Sequence, residues 1–224
     1  MKKLTIEIVS DVICPWCYIG KRRLEKALPL LGGVEAQIRW LPFQLNPDMP
    51  EGGVPRAQYR EAKFGSPERA KSLDARVAHE GSGEGIAFAF DRIERTPNTV
   101  RAHQLIELAQ RQDAKNPAER QQWVGNAVVD ALFRGYFEEA RDIGDAAVLE
   151  EIAKGCGVRD WPRSADPETV AALEESMRGL GISAVPTFVF DRRIGVSGAH
   201  PPESLAAAIR EAMTPGSGEV QAGV

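Results

Sequence analysis

The chain is poor in cysteine and histidine, with three of each: Cys14, Cys17 and Cys156, and His79, His103 and His200. Three cysteines do not build the multi-bridge framework of a small secreted scaffold. A structural zinc normally takes four ligands, and the second cysteine pair that such a site would use is missing, so no metal is expected. Missing too is any apolar run near the roughly 18 residues a helix needs to cross a bilayer. Met1-Lys2-Lys3 passes straight into a strand-like stretch without an apolar leader or small-residue cleavage site, which makes a cytoplasmic protein the expectation. Charge of one sign is also lacking: 28 Lys and Arg against 32 Asp and Glu leave a formal net charge of −4, with a pI near 5.6. Binders of nucleic acid or acidic membrane usually carry a basic stripe, so neither is an expected partner. What is present is a chain of 224 residues, 43% hydrophobic, long enough to bury a sizeable core.

Cys14-Pro15-Trp16-Cys17 stands at a junction of two patterns. Before it, Leu4, Ile6 and Ile8 alternate with Thr5 and Glu7, as in a strand; after it, Leu24, Ala27, Leu28 and Leu31 fall at helical spacing in a stretch that begins by Tyr18. Residues three apart on a helix lie roughly 5 to 6 Å from each other on one face, within the separation a disulfide tolerates, so the two thiols can cycle between dithiol and disulfide. Cys14 would sit at the helix start, where unsatisfied N–H groups and the positive end of the macrodipole favour a thiolate. It is the expected nucleophile, and Cys17, one turn in, the expected resolving thiol. Pro15 suits the first helical position because it has no N–H to leave unpaired. Trp16 is positioned to cover the sulfurs. Lys21-Arg22-Arg23, just beyond, reads as a solvated face. Exchange between thiols and disulfides requires no metal and no organic cofactor.

A second strand is expected over Glu35–Leu41, and the helix from Tyr18 to Leu30 has the length to join two parallel neighbours. A Pro/Gly-rich connector, Pro50–Pro55, then reads as a hinge. Helical stretches follow at Ala57–Phe64, Pro67–Glu80, Thr99–Gln112, Pro117–Arg134, Ala146–Lys154 and Pro167–Leu180. Start signals at Ser66-Pro67, Asn98, Asn116-Pro117 and Asp166-Pro167 support them. Ile86–Ile93 reads as extended, on weak alternation. Strands return at Thr187–Phe190 and Ile194–Ser197, and Pro202–Met213 closes the pattern as a helix. The fold class is therefore α/β, βαβ…ββα interrupted by a large all-α insertion. Its expected domains are 1–54 with 181–214, the insertion 55–180, and a frayed tail 215–224. Asn98 reads first as a helix cap, His103 as a hydrogen-bonded helix residue, Cys156 as a small half-buried thiol, and Trp40, Trp123 and Trp161 as core or interface.

These residues, taken together, resemble thioredoxin-fold proteins of the DsbA class. The likeness is closer to the FrnE-like DsbA family at Ser10–Gly20 around the cysteines, at Asn98–His103, at Leu132–Phe137 and at Val185-Pro186. It implies a thioredoxin fold interrupted by a helical domain and a dithiol–disulfide oxidoreductase activity on protein or small-molecule thiols and disulfides, glutathione among them. It further implies a cis-proline at Pro186 beside the cysteine pair, with the Val185 backbone open to an extended substrate. Asn98 and His103, by their own chemistry and after their structural readings, are the further candidate substrate contacts. Residue statistics alone would read Pro186 as an ordinary strand-leading proline, since only ~5–6% of X–Pro bonds are cis. Kappa-class glutathione transferases and 2-hydroxychromene-2-carboxylate isomerases look similar in fold but use a serine where this chain has Cys14. Glutathione-dependent isomerisation is accordingly the alternative function, and a non-catalytic biosynthetic partner a third.

Overall fold

A computed structural model of the chain describes residues 2–115 and 123–214. In chain order the elements are β1 (Lys2–Ser10), α1 (Pro15–Ala27) with a 3-10 turn at Leu28–Leu31, β2 (Val34–Pro42), β3 (Val54–Pro55), α2 (Arg56–Phe64) and α3 (Pro67–Gly83). Then come β4 (Arg95–Thr96), α4 (Val100–Lys115), α5 (Val124–Phe137), α6 (Ala146–Gly155), α7 (Pro167–Gly179), β5 (Thr187–Phe190), β6 (Ile194–Ser197) and α8 (Pro202–Ala212). Two compact units divide them: residues 1–43 with 173–224, and residues 44–172. The expected boundary at 54/55 lies inside the second unit and the one at 180/181 inside the first. The chain passes between units at Phe43–Gln44, ahead of the Pro50–Pro55 connector, and again within α7.

The first unit is a four-stranded sheet in the order β2-β1-β5-β6. β2 runs parallel to β1, with Ile38 beside Ile6 and Trp40 beside Ile8. β5 runs antiparallel on the other side, with Phe190 beside Ile6 and Phe188 beside Ile8. The strand that leads to the cysteines, β1, and its neighbour β5 are thus the two central strands, each with ladder partners on both edges. The alternation of β1 has a direct consequence: Leu4, Ile6 and Ile8 are buried together with Phe188 and Phe190, each such side chain contributing roughly 1.5–3 kcal/mol by leaving water. α1 packs on α8, and both bury apolar faces, Leu24 and Ala27 on one, Leu205 and Ile209 on the other.

The second unit is helical, with one small ribbon in which β3 pairs antiparallel with β4. Its core includes a cluster of rings: Phe137 meets Phe88, Phe90, Phe133 and Tyr136 at centroid distances of 5.3, 6.0, 6.3 and 4.9 Å. That cluster explains a difference from the expected pattern. Ile86–Ile93 is not a strand; Ala89 donates its N–H to the Phe137 carbonyl at 2.7 Å, and the segment is held by its aromatic side chains rather than by a ladder. The helix expected from Pro117 is described only from Val124, because Asn116-Pro117 and the residues to 122 lie outside the described residues, as does the expected tail 215–224.

Start signals act as hydrogen bonds. The Ser66 hydroxyl accepts from the Arg69 N–H at 3.2 Å, the Asn98 carbonyl oxygen from Val100 at 2.9 Å, and Asp166 from Thr169 at 3.0 Å.

Candidate active site

β1 ends at Ser10, and three buried residues, Asp11, Val12 and Ile13, carry the chain to the start of α1. The Asp11 carbonyl accepts the Cys14 N–H at 3.0 Å, closing a turn that delivers Cys14 in extended conformation, φ −92° and ψ 111°, as the cap residue of the helix. Pro15 is the first helical residue. The helix therefore begins at the motif itself, as the placement of Cys14 and Pro15 led one to expect, because proline presets its own φ and sacrifices no hydrogen bond there. The Cys14 carbonyl accepts from Cys17 at 3.0 Å and from Tyr18 at 3.4 Å, so both cysteines belong to one turn of backbone.

Both sulfurs are thiols in this structure, and both cysteines are buried, Cys14 to 5% exposure and Cys17 to 1%. Their surroundings differ. The Cys14 thiol donates to the Val185 carbonyl oxygen at 3.7 Å, while Trp16 beside it is 38% exposed. Burial pushes the Cys17 thiol well above its ordinary value, the adjacent Cys14 adds to the rise, and Ser10 with the Asp11 backbone opposes it. Cys17 is accordingly held neutral.

The segment facing Cys14 is fixed from the far side of the sheet. The Val185–Pro186 bond is cis, Pro186 is buried, and its carbonyl accepts the Gly198 N–H at 2.8 Å. The Thr187 hydroxyl donates to the Ala184 carbonyl at 2.8 Å, and Thr187 itself pairs with Val9 on β1 and Ser197 on β6. Gly198, φ +99°, supplies a backbone conformation that a side chain would strain.

The basic run after the motif is not a solvated face. Lys21 is buried and paired with Glu25 at 2.6 Å, and the Arg23 guanidinium donates to the Ala199 carbonyl at 2.6 Å. Sequence reasoning missed Arg23, Gly198 and Gly20, all of which act on the turn around Pro186. Only Gly20 left a signal, a glycine inside an otherwise amphipathic helix, where it is disfavoured by ~1 kcal/mol relative to alanine.

Asn98 and His103 belong to the helical unit. Asn98 uses both ends of its amide there, its oxygen capping α4 and its NH2 donating to the Met49 carbonyl at 2.7 Å. His103 is buried in α4. Trp40 is in the core, whereas Trp123 and Trp161 are half-buried, as is Cys156. Among the described residues no group of three or more His, Cys, Asp or Glu could hold a metal ion, and no helix is long and apolar enough to cross a membrane.

A strand-to-helix junction carrying two thiols beside a cis-proline segment that leads the neighbouring strand is an arrangement of the thioredoxin-type fold. Residues 5–210 match the DSBA-like thioredoxin domain, and the chain belongs to that family. A crystal structure described as a probable DsbA oxidoreductase from Streptomyces coelicolor is 34% identical, with a TM-score of 0.80 over 95% of this chain and 92% of that one. A 2-hydroxychromene-2-carboxylate isomerase has a TM-score of 0.61 at 15% identity, covering 92% of this chain and 94% of its own. The cytosolic disulfide reductase DsbM from Pseudomonas aeruginosa, with GSH, has a TM-score of 0.55 at 18% identity, covering 93% and 95%. The last two are likenesses of fold.

Proposed function

We propose that the protein is a FrnE-like thiol–disulfide oxidoreductase that works through Cys14 and Cys17. The observation that carries this reading is the asymmetry of the pair: Cys14 caps the start of α1 beside Val185, whereas Cys17 lies one turn inside with its thiol held neutral by burial. Only one sulfur is set to attack first. The Cys14 thiolate attacks one sulfur of a substrate disulfide, the substrate S–S bond breaks, and its other sulfur leaves as a thiolate. Cys17 then gives up its proton and attacks the Cys14 sulfur, releasing the second substrate thiol and leaving a Cys14–Cys17 disulfide. Two electrons have passed to the substrate, and run backwards the same steps oxidise a dithiol.

Pro15 and Trp16 shape the attacking sulfur's surroundings, and Pro186 shapes the edge facing it. The Val185 backbone is the proposed contact for an extended substrate, which would make recognition depend on main-chain hydrogen bonds more than on side chains. Proteins and small thiols, glutathione included, are the proposed partners, in the cytoplasm. The GSH-bound cytosolic reductase is consistent with this at the level of fold. His103 is the helical unit's candidate contact, and His103→Ala tests it: a raised KM at unchanged Tm assigns it to substrate, a lowered Tm at unchanged KM assigns it to the core.

Cys14→Ser should abolish reduction of insulin or of a disulfide-bonded peptide, and Cys17→Ser should accumulate mixed disulfides, because one sulfur attacks and the other releases. Full exchange activity in both variants would overturn the reading. Glutathione-dependent isomerisation of a hydroxychromene carboxylate that survives loss of Cys17 would replace it with the isomerase alternative.

A further inference from the structure

We propose that Gly20 is a positioning residue for the exchange reaction: its missing side chain lets α1 lie directly on Pro186 and Phe188, and so keeps Cys14 in register with the Val185 carbonyl. This inference rests on the exchange reading above.

A Cβ built on Gly20 would stand 3.1 Å from Pro186 Cγ, 3.1 Å from Phe188 Cζ and 3.5 Å from the Ala199 Cβ. The first two separations are tighter than side chains ordinarily accept, so an added methyl requires its neighbours to retreat by a few tenths of an ångström. Neither can do so alone. Phe188 is fully buried in β5, with Ile8 on one side and Val196 on the other. Pro186 is tied through its carbonyl to Gly198, and the same turn is tied back to α1 by Arg23, which lies one turn beyond Gly20 and donates to Ala199. Helix and turn are thus clasped at two points, by close approach at Gly20 and by a hydrogen bond at Arg23. The helix that is clasped begins at Cys14, and the segment it is clasped to ends at Val185, so the 3.7 Å separation between the Cys14 sulfur and the Val185 oxygen is set by this contact.

A substrate that must meet the Val185 edge and the sulfur together depends on that register. A small electrophile depends on the sulfur alone. Misplacement of reacting groups by a fraction of an ångström to one ångström costs on the order of tenfold to a hundredfold in rate.

Gly20→Ala is therefore expected to lower kcat/KM for a disulfide-bonded peptide about tenfold per folded molecule, while alkylation of Cys14 by iodoacetamide at the same pH stays within about twofold. A role in packing alone gives the reverse pattern: lower Tm, faster alkylation of the buried thiols, and kcat/KM per folded molecule unchanged. That pattern overturns the proposal. If Gly20→Ala does not fold, Arg23→Ala, which removes the other half of the clasp, decides. It should lower kcat/KM about threefold or more with alkylation unchanged, and unaltered peptide turnover overturns the proposal. Wild-type protein that exchanges neither peptide disulfides nor glutathione disulfide removes the exchange reading and this one with it, an outcome distinct from an active wild type matched by its variants.

Discussion

Cys17 illustrates how a residue's chemistry is set by what surrounds it. Its spacing from Cys14 is a property of the motif, but its thiol is held neutral first by burial in the folded chain and then by the hydrogen bond and charge of Cys14 beside it. The shift has a consequence for stability. A thiol whose folded value lies above its unfolded one stabilises the reduced protein fully below the unfolded value, near ~8.5, and that contribution is lost as pH rises from there through the folded value. The fully reduced wild type should thus lose stability relative to Cys17→Ser as pH rises above about 8.5, read by urea unfolding with a reductant that works at alkaline pH. Comparing the two proteins cancels Cys156, whose thiol is also pushed up by burial. A stability gap between them that stays constant to pH 10 or so would contradict the assignment.

Individual elements follow from local chemistry more closely than their surroundings do. Strand alternation before the motif, proline at the first helical position and Ser, Asn or Asp before several helices are short-range signals, and β1, α3, α4, β5 and β6 begin or end close to where those signals stand. Ile86–Ile93 fails because weak alternation cannot tell a strand from a segment held by ring packing against Phe137. Asn98 offers a test at this scale. With its oxygen on Val100 and its NH2 on Met49, Asn98→Ala should cost ~1 kcal/mol, within the usual range for a lost helix cap, and leave KM for a peptide disulfide unaltered. A raised KM at unchanged stability would assign Asn98 to substrate instead.

At the scale of the whole molecule the three cysteines divide between the units, Cys14 and Cys17 in the first and Cys156 at the end of α6 in the second. Oxidised protein is expected to carry one disulfide, Cys14 to Cys17, with Cys156 free. Peptide mapping by mass spectrometry under non-reducing conditions checks this directly, and a bridge to Cys156 in native protein would overturn it. The family match spans both units, since it runs from residue 5 to residue 210, so the helical unit is an interruption of one fold and not an appended module.

From sequence alone the chain already specifies the paired cysteines, their strand-to-helix setting, the four strands of the main sheet and most of the helices, and through its likeness to the DsbA class the segment at Val185-Pro186. All but the last rest on neighbours within a turn or two, where spacing translates directly into geometry. The unit boundaries, the burial of Lys21, the bond from Arg23 to Ala199 and the closeness of Gly20 to Pro186 and Phe188 needed the folded chain. Each of those three contacts of α1, or its loss of solvent, depends on where distant segments come to rest, and Gly20 meets residues more than 160 positions away along the chain. No local pattern encodes a separation of that kind, because close packing is decided jointly by all the side chains that share the space.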